Sequence, residues 1–125
     1  MIRQVDLVGD WGNAAGARMH VAADHSLTAS GIKHAVPDYT CSTSLTAGSW
    51  QFDAQNGSPQ DSTASATAGD SFTVWANDGK FDLAGCNIEA LVQRDDRGFN
   101  ICLVRDPDQT CTDKELLRKA STPLR

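Results

Sequence analysis

The 125-residue sequence lacks the long apolar runs and the basic runs that mark membrane-spanning and nucleic-acid-binding proteins. No stretch approaches the roughly 18 consecutive apolar residues of a transmembrane helix. The net charge is −5 and the sequence pI is near 4.9, and no basic stripe interrupts this acidic balance. We therefore expect no membrane span and no nucleic-acid partner.

The beginning of the chain also lacks the apolar core of a signal peptide. Two interpretations fit its first residues, MIRQVDLVGDW. The protein is either cytoplasmic, or it is the mature form of a secreted protein whose first methionine was added.

Sequence motifs for catalysis and for metal binding are missing as well. The serines lack the Gly-x-Ser-x-Gly context of a nucleophile elbow, and the cysteines lack the Cys-x-x-Cys spacing typical of zinc sites. His20, Asp24 and His25 lie close together, but Asp24 and His25 are explained by a turn and His20 by a polar strand face. We therefore expect no metal, no cofactor and no catalytic residue, and favour a protein that is not an enzyme.

Cysteine is scarce but even in number. Cys102 and Cys111 flank the turn sequence at 105–108, which predicts that they face each other across a hairpin and form a disulfide. Cys41 and Cys86 are left to form a second, long-range bridge. Two disulfides indicate a secreted or extracytoplasmic protein. The alternative is four buried thiols in a cytoplasmic protein.

Apolar and polar residues alternate along almost the whole chain, which is the period of β-strands. The first predicted strand places Val5, Leu7, Gly9 and Trp11 on one face. Helix signals are few, and the last segment, KELLRKA, is too short for more than two helical turns, so we favour a strand there.

Tight-turn sequences separate the predicted strands and keep them in sequential order. Eight to ten short strands in this order predict an all-β, antiparallel up-and-down meander. A meander of this length loses its exposed edges most simply by closing into a small barrel of about eight strands. A β-sandwich is the alternative architecture. No repeat or linker divides the chain, so residues 1–125 form a single domain.

Gly9 and Trp11 stand at the start of this meander, in a Gly-x-Trp pattern that resembles the first-strand signature of the calycins. This superfamily contains the lipocalins, the fatty-acid-binding proteins and the avidins. The resemblance implies that Trp11 closes one barrel end and that a basic residue of the last strand lies across its ring. Arg118 matches that residue, with Lys119 as its competitor. A guanidinium stacks favourably on an indole, which gives this pair a physical reason.

The wider arrangement, GDWGN…DHSLTASG…GSWQF…RDPD…LLRK, resembles small secreted barrels of actinobacteria, which implies a fold but no activity. Asn13 completes an avidin-like Gly-x-Trp-x-Asn sequence. Ala17, however, stands where avidins have a serine that contacts biotin, so we do not expect biotin binding. The sequence Pro37-Asp38-Tyr39 is similar to a lipocalin motif but comes too early in the chain.

An eight-stranded barrel is just wide enough to be filled by side chains or to hold one small ligand. Small residues at 63–67 favour a cavity, so we expect Trp50, Phe52 and Trp75 to contact a ligand there. The 31–45 loop is long enough to form a lid, with Tyr39 as its ligand contact.

Three function classes remain open at this point. The first is an extracytoplasmic, lipocalin-like protein that binds a small apolar molecule in the barrel cavity. The second is a cyclase-type barrel enzyme that folds a polyketide or terpenoid substrate into a reactive shape. The third is a protease inhibitor or another protein-binding module, which would use the 32–44 loop or the 105–110 turn.

Overall fold

The structure, a computed structural model, describes residues 2–36, 44–53, 67–76, 88–105 and 110–120. Within these ranges the chain is mostly β-structure with two short helical segments. The elements in chain order are β1 (Ile2–Arg3), α1 (Gln4–Leu7), β2 (Gly9–Gly12), β3 (Arg18–Val21), β4 (Ser26–Ser30), a 3₁₀ turn (Ile32–His34), β5 (Leu45–Phe52), β6 (Ala68–Gly69), β7 (Ser71–Ala76), β8 (Ile88–Asp95), β9 (Gly98–Val104) and β10 (Leu117–Lys119). Among the described residues, no helix has the length and apolar character needed to cross a membrane.

Eight of these strands form a closed antiparallel barrel in the order β10-β2-β3-β4-β5-β7-β8-β9. The last strand closes it, because Arg118 of β10 pairs with Gly12 of β2 on one side and with Asn100 of β9 on the other. The predicted meander and its closure into a barrel of eight strands are therefore confirmed, and the sandwich is excluded. Within the final segment, KELLRKA, Leu117–Lys119 form a strand, as expected. Strands β1 and β6 pair with each other in a separate two-stranded sheet.

The predicted first strand is wrong in its first half, where the chain forms α1. The Val8 N–H donates to the Gln4 carbonyl at 3.0 Å, which closes one helical turn. Val5 is 69% exposed in this turn, whereas Leu7 is fully buried. In a strand, residues two positions apart face the same side, so a strand would not separate Val5 and Leu7 in this way. The Leu7 carbonyl also accepts the Trp11 indole N–H at 2.8 Å, so the turn and the buried tryptophan stabilise each other.

Two tight turns show why the hairpins form where the sequence predicts them. The Asp24 carboxylate accepts the Ser26 N–H at 2.9 Å, and His25 adopts a left-handed conformation with φ of 71°. Asp95 pairs with Gly98 around the second turn, where Gly98 has a φ of 107°. Glycine adopts this conformation without a steric penalty, so the turn sequence fixes the register of β8 and β9.

Side chains fill the centre of the barrel. The rings of Trp50, Phe52 and Phe72 make edge-to-face contacts, with centroids 5.1 to 6.5 Å apart, and none of the three has exposed surface. The His25 ring stacks on Trp50 at 4.5 Å and its Nδ1 lies 2.9 Å from the Trp50 carbonyl oxygen. A ring with no surface accessible to water borders no cavity, so this aromatic cluster packs as a solid core.

The described part of the predicted lid is also packed. Ile32, Ala35 and Val36 are buried, and the 3₁₀ turn is held by the His34 N–H, which donates to the Gly31 carbonyl at 2.9 Å. The Asn13 amide donates to the His34 carbonyl at 3.3 Å, which ties this segment to the turn between β2 and β3. Residues 32–36 therefore pack against the hydrophobic core. Tyr39 lies outside the described residues.

Candidate functional site

Two adjoining depressions lie along the barrel surface where β9, β10 and β2 meet. One has a volume of about 520 Å³ and the other about 490 Å³, and they share Trp11, Arg97, Arg118 and Lys119 as lining residues. We call the two together the cationic groove, because six basic side chains line it: Arg18, Arg94, Arg97, Lys114, Arg118 and Lys119.

The charge of the cationic groove is opposite to that of the whole protein. Six of the eleven Lys and Arg residues of the sequence line it, against three of its sixteen acidic residues, which are Asp6, Asp10 and Asp113. Asp6 pairs with Arg3 at 3.1 Å, and Asp10 lies 2.7 Å from the His20 ring, so both have partners of their own. The groove is therefore a local basic surface on an acidic protein.

Arg118 and Asp95 form a two-point ion pair in the groove wall. The guanidinium donates from Nη2 to Oδ2 at 2.6 Å and from Nη1 to Oδ1 at 3.2 Å, which is a two-point contact. Asp95 also accepts the Arg97 backbone N–H and the Asn100 amide, at 2.9 and 3.2 Å. The hydrogen bonds from Arg118 and from the Arg97 N–H lower the pKa of Asp95 to about 2. The same contact raises the pKa of Arg118.

Two other cations of the groove use backbone carbonyls as partners. Arg18 donates to the carbonyls of Asn13 and Ala17, at 2.9 and 2.8 Å. Lys119 donates from Nζ to the Asp6 carbonyl at 2.7 Å. A carbonyl positions a cation but leaves its charge in place, so these two side chains keep their attraction for an anion.

The groove also has an apolar part, because Phe99 and a small exposed edge of Trp11 line its smaller depression. The Arg94 guanidinium lies over the Phe99 ring, 4.9 Å from its centroid. This arrangement offers an aromatic surface next to positive charge, which suits a molecule that combines an apolar body with an acidic group.

Gly9, Trp11 and Arg118 were expected to form the calycin-type plug. Trp11 is 1% exposed, but its register partner in β10 is Lys119, so Lys119 shares its face of the sheet and Arg118 points to the other. Arg118 lies on Asp95 instead. A Cβ on Gly9, which has a φ of 142°, would lie 2.8 Å from Lys119 Cε, so this glycine makes room for the lysine side chain.

The residues expected to contact a ligand are not brought together. Trp50 and Phe52 lie in the solid core, and their ligand role stays a prediction that requires those rings to move apart. Trp75 was expected to face the same interior. Its partner in β5 is Ser49, whereas Trp50 pairs with Val74, so Trp75 lies on the outer face of the sheet and is half-buried there. An interior position for Trp75 is therefore wrong, because alternate residues of a strand face opposite sides.

The predicted disulfide between Cys102 and Cys111 is present, with a Cα–Cα distance of 5.7 Å. It attaches the segment that follows Cys111 to β9. Cys41 and Cys86 lie outside the described residues, so their pairing stays a prediction. Residues 63–66, which were expected to leave space in the barrel, lie outside the described residues too.

A second polar cluster lies on the outer face of β7 and β8 and was not found from the sequence. The Asp53 carboxyl contacts the hydroxyls of Ser71 and Thr73, both at 2.7 Å, and the Thr73 hydroxyl also lies 2.9 Å from Glu89 Oε2. Two hydroxyls supply two protons for these three contacts. The third contact needs a proton on a carboxyl group, so Asp53 and Glu89 hold one proton between them.

The pKa values of this pair follow from burial and from their mutual contact. Burial raises the pKa of Glu89 most, and hydrogen bonding to Asp53 adds to the increase, to about 8. Burial alone would raise the pKa of Asp53, but hydrogen bonds with Glu89, Ser71 and Thr73 lower it below its usual value. Glu89 therefore carries the shared proton at neutral pH.

No family model, curated protein or solved structure matches the chain. Within the described residues, no group of His, Cys, Asp and Glu side chains has the arrangement of a metal site. His20, Asp24 and His25 make separate contacts, to Asp10, Ser26 and Trp50. The cationic groove combines positive charge with an aromatic wall, and it is therefore the candidate ligand site.

The cationic groove could not be found from the sequence, because its cations come from three distant segments. Arg18 belongs to β3, Arg94 and Arg97 to the hairpin of β8 and β9, and Lys114 to the approach to β10. Only barrel closure places these segments side by side. The one local signal is the sequence Arg94-Asp95-Asp96-Arg97, in which two arginines enclose two aspartates.

Proposed function

We propose that this protein is an extracytoplasmic, calycin-like barrel without enzymatic activity, which binds a small molecule with an apolar body and an acidic group. The ligand binds in the cationic groove and not among the buried aromatic rings of the core. This keeps the small-molecule binding that we expected from the sequence, but it moves the site and adds a negative charge to the ligand.

One observation carries this proposal: six of the eleven Lys and Arg residues of an acidic protein line two adjoining depressions, one of which has an aromatic wall. When Asp95 is counted with the three acidic lining residues, six cations still outnumber four carboxylates. A depression with excess positive charge concentrates anions, and the Phe99 ring offers contact to an apolar body.

The packing of the core supports a site in the groove rather than among the core side chains. Trp11, Trp50, Phe52 and Phe72 are almost completely buried and fill the interior. A ligand of their size would have to displace them, and truncating one such side chain typically costs about 3–5 kcal/mol of stability. A groove that already exists carries no such penalty.

The disulfide supports the extracytoplasmic part of the proposal. Cys102 and Cys111 are bonded, and such bonds persist mainly in oxidising compartments. The acidic net charge and the lack of a basic run in the sequence argue against nucleic acid as the anionic partner.

The binding of 2-naphthoate, measured by isothermal titration calorimetry, tests the proposal. Neutral 2-naphthamide has the same ring system and serves as the matched ligand control. Arg94→Gln removes the cation over Phe99 and should weaken naphthoate binding about tenfold, the loss of one charged contact. Lys33→Gln removes an exposed cation outside the groove and should leave the affinity unchanged.

Tighter binding of naphthoate than of naphthamide, with a loss in Arg94→Gln alone, supports the proposal. Equal binding of both compounds would show that charge does not select the ligand. An unchanged affinity in Arg94→Gln would place the site elsewhere, and no naphthoate binding at about millimolar concentration would remove it.

A further inference from the structure

A carboxylate of the protein already lies between two arginines of the cationic groove. Asp113 Oδ1 is 3.1 Å from Arg97 Nη2 and 3.8 Å from Arg118 Nη2. One oxygen thus faces two guanidinium groups, which is the arrangement that a bound carboxylate would take.

The ion pair between Asp113 and Arg97 is much more exposed than the ion pair between Asp95 and Arg118. The Asp113 side chain is 75% exposed and that of Arg97 is 59% exposed, whereas the Arg118 and Asp95 side chains are 24% and 35% exposed. Among the described residues, Asp113 has one contact within hydrogen-bond distance, and Asp95 has contacts from Arg118, Arg97 and Asn100. An exposed single contact is worth little, so Asp113 can be displaced while Asp95 stays in place.

The chain around Asp113 holds this carboxylate near the groove. Cys111, two residues earlier, is bonded to Cys102 of β9. The Thr112 N–H donates to Glu115 Oε1 at 2.7 Å, and the Glu115 N–H donates to the Thr112 carbonyl at 3.0 Å. The turn is therefore fixed at both sides of Asp113, while the carboxylate itself remains exposed to solvent.

We infer that Asp113 is a built-in competitor, whose carboxylate occupies the position that the carboxylate of the ligand takes between Arg97 and Arg118. This inference rests on the proposed function and identifies the acidic group of the ligand as a carboxylate. In this exchange the ligand carboxylate takes over the contacts with Arg97 and Arg118, and the Asp113 carboxylate turns toward solvent. The competitor lowers the affinity for every ligand and selects for those whose apolar body adds contact with Phe99.

The test compares the affinity of 2-naphthoate for the wild type with that for Asp113→Asn. Removal of the competitor should tighten binding about three- to fivefold, the equivalent of one exposed ion pair. Asp96→Asn is the matched control, because Asp96 also acts on Arg118 through its charge but does not line the groove. Asp96→Asn should change the affinity by less than about twofold.

A double variant shows whether the competition works through Arg97. In an Arg97→Gln background, Asp113→Asn should tighten binding clearly less than it does alone. Equal tightening by Asp113→Asn and Asp96→Asn would overturn the inference, since net charge would then explain both. An unchanged affinity in Asp113→Asn would also overturn the inference. The proposed function would still stand in that case, provided that the wild type binds naphthoate. No binding by any variant would overturn both.

Discussion

Among single residues, Glu89 makes the stability of the protein depend on pH. Its pKa is about 8 in the folded protein, raised from an ordinary value of 4.5 by burial and by contact with Asp53. The folded state therefore holds a proton that the unfolded state loses near pH 4.5. Its stabilising contribution is fully present below that pH and is lost as the pH rises through about 8.

Urea unfolding at pH 5, 7 and 9 measures this dependence. The free energy of unfolding of the wild type should fall over this range, and Glu89→Gln, which keeps the shape but cannot lose a proton, should flatten the decrease. Glu115→Gln is the control, because Glu115 is the other glutamate of the sequence and Gln can still accept the Thr112 N–H. If Glu89→Gln keeps the slope of the wild type, the shared proton does not reside on Glu89.

Sequence patterns predict single residues well when a local signal exists. The turn sequence at 105–108 predicts the Cys102–Cys111 disulfide, and the structure contains it. Sequence patterns give the wrong position for Arg118 and Trp75, because the surroundings of these side chains depend on which face of the strand points inward. That choice follows from the register between strands, which turn geometry and core packing set together.

At the scale of elements, α1 differs most from what the sequence predicts. Val5, Leu7, Gly9 and Trp11 alternate with a period of two, so the pattern favours one continuous strand. A helix of four residues is too short to show a helical period or a cap. Its formation is explained by tertiary contacts, because burial of Leu7 and the bond from the Trp11 indole to the Leu7 carbonyl both require the turn.

A pair of alanine substitutions tests the helical turn directly. Leu7→Ala removes a fully buried side chain and should lower the free energy of unfolding by about 2–5 kcal/mol. Val5→Ala removes a side chain that is 69% exposed and should change it by less than about 0.5 kcal/mol. Both values come from denaturant unfolding at fixed pH. Similar losses in the two variants would mean that both residues face the core, as in a strand.

The barrel strands are predicted better than α1 because their turns carry local signals. The sequence Asp24-His25 and the segment from Asp95 to Gly98 each mark a tight hairpin, and each lies between the strands that it was expected to join. The pairing of β1 with β6 has no such signal, since Arg3 and its partner Ala68 are 65 positions apart in the sequence. Contacts at that distance along the chain depend on the finished fold.

At the scale of the whole molecule, the sequence predicts a closed barrel but not what fills it. Alternation and turn spacing predict eight to ten strands that close into a barrel of about eight, and an eight-stranded barrel permits either a packed interior or a small cavity. The choice depends on how Trp50, Phe52 and Phe72 fit together, and ring geometry cannot be read from spacing. The same limit applies to the cationic groove, which exists only because closure joins β10 to β2 and β9.

The separation of charge over the molecule distinguishes the groove from the barrel interior as the binding site. Attraction between an anion and exposed cations is screened by salt, with a screening length of about 10 Å at 0.1 M and about 3 Å at 1 M. Naphthoate affinity should therefore fall severalfold between low and high sodium chloride, in titrations at fixed pH. Naphthamide gives the reference for salt effects that do not involve charge. Binding inside an apolar barrel would stay constant or strengthen with salt, because salt does not weaken apolar burial. An affinity for naphthoate that resists salt would thus return the ligand to the interior, beside Trp50 and Phe52.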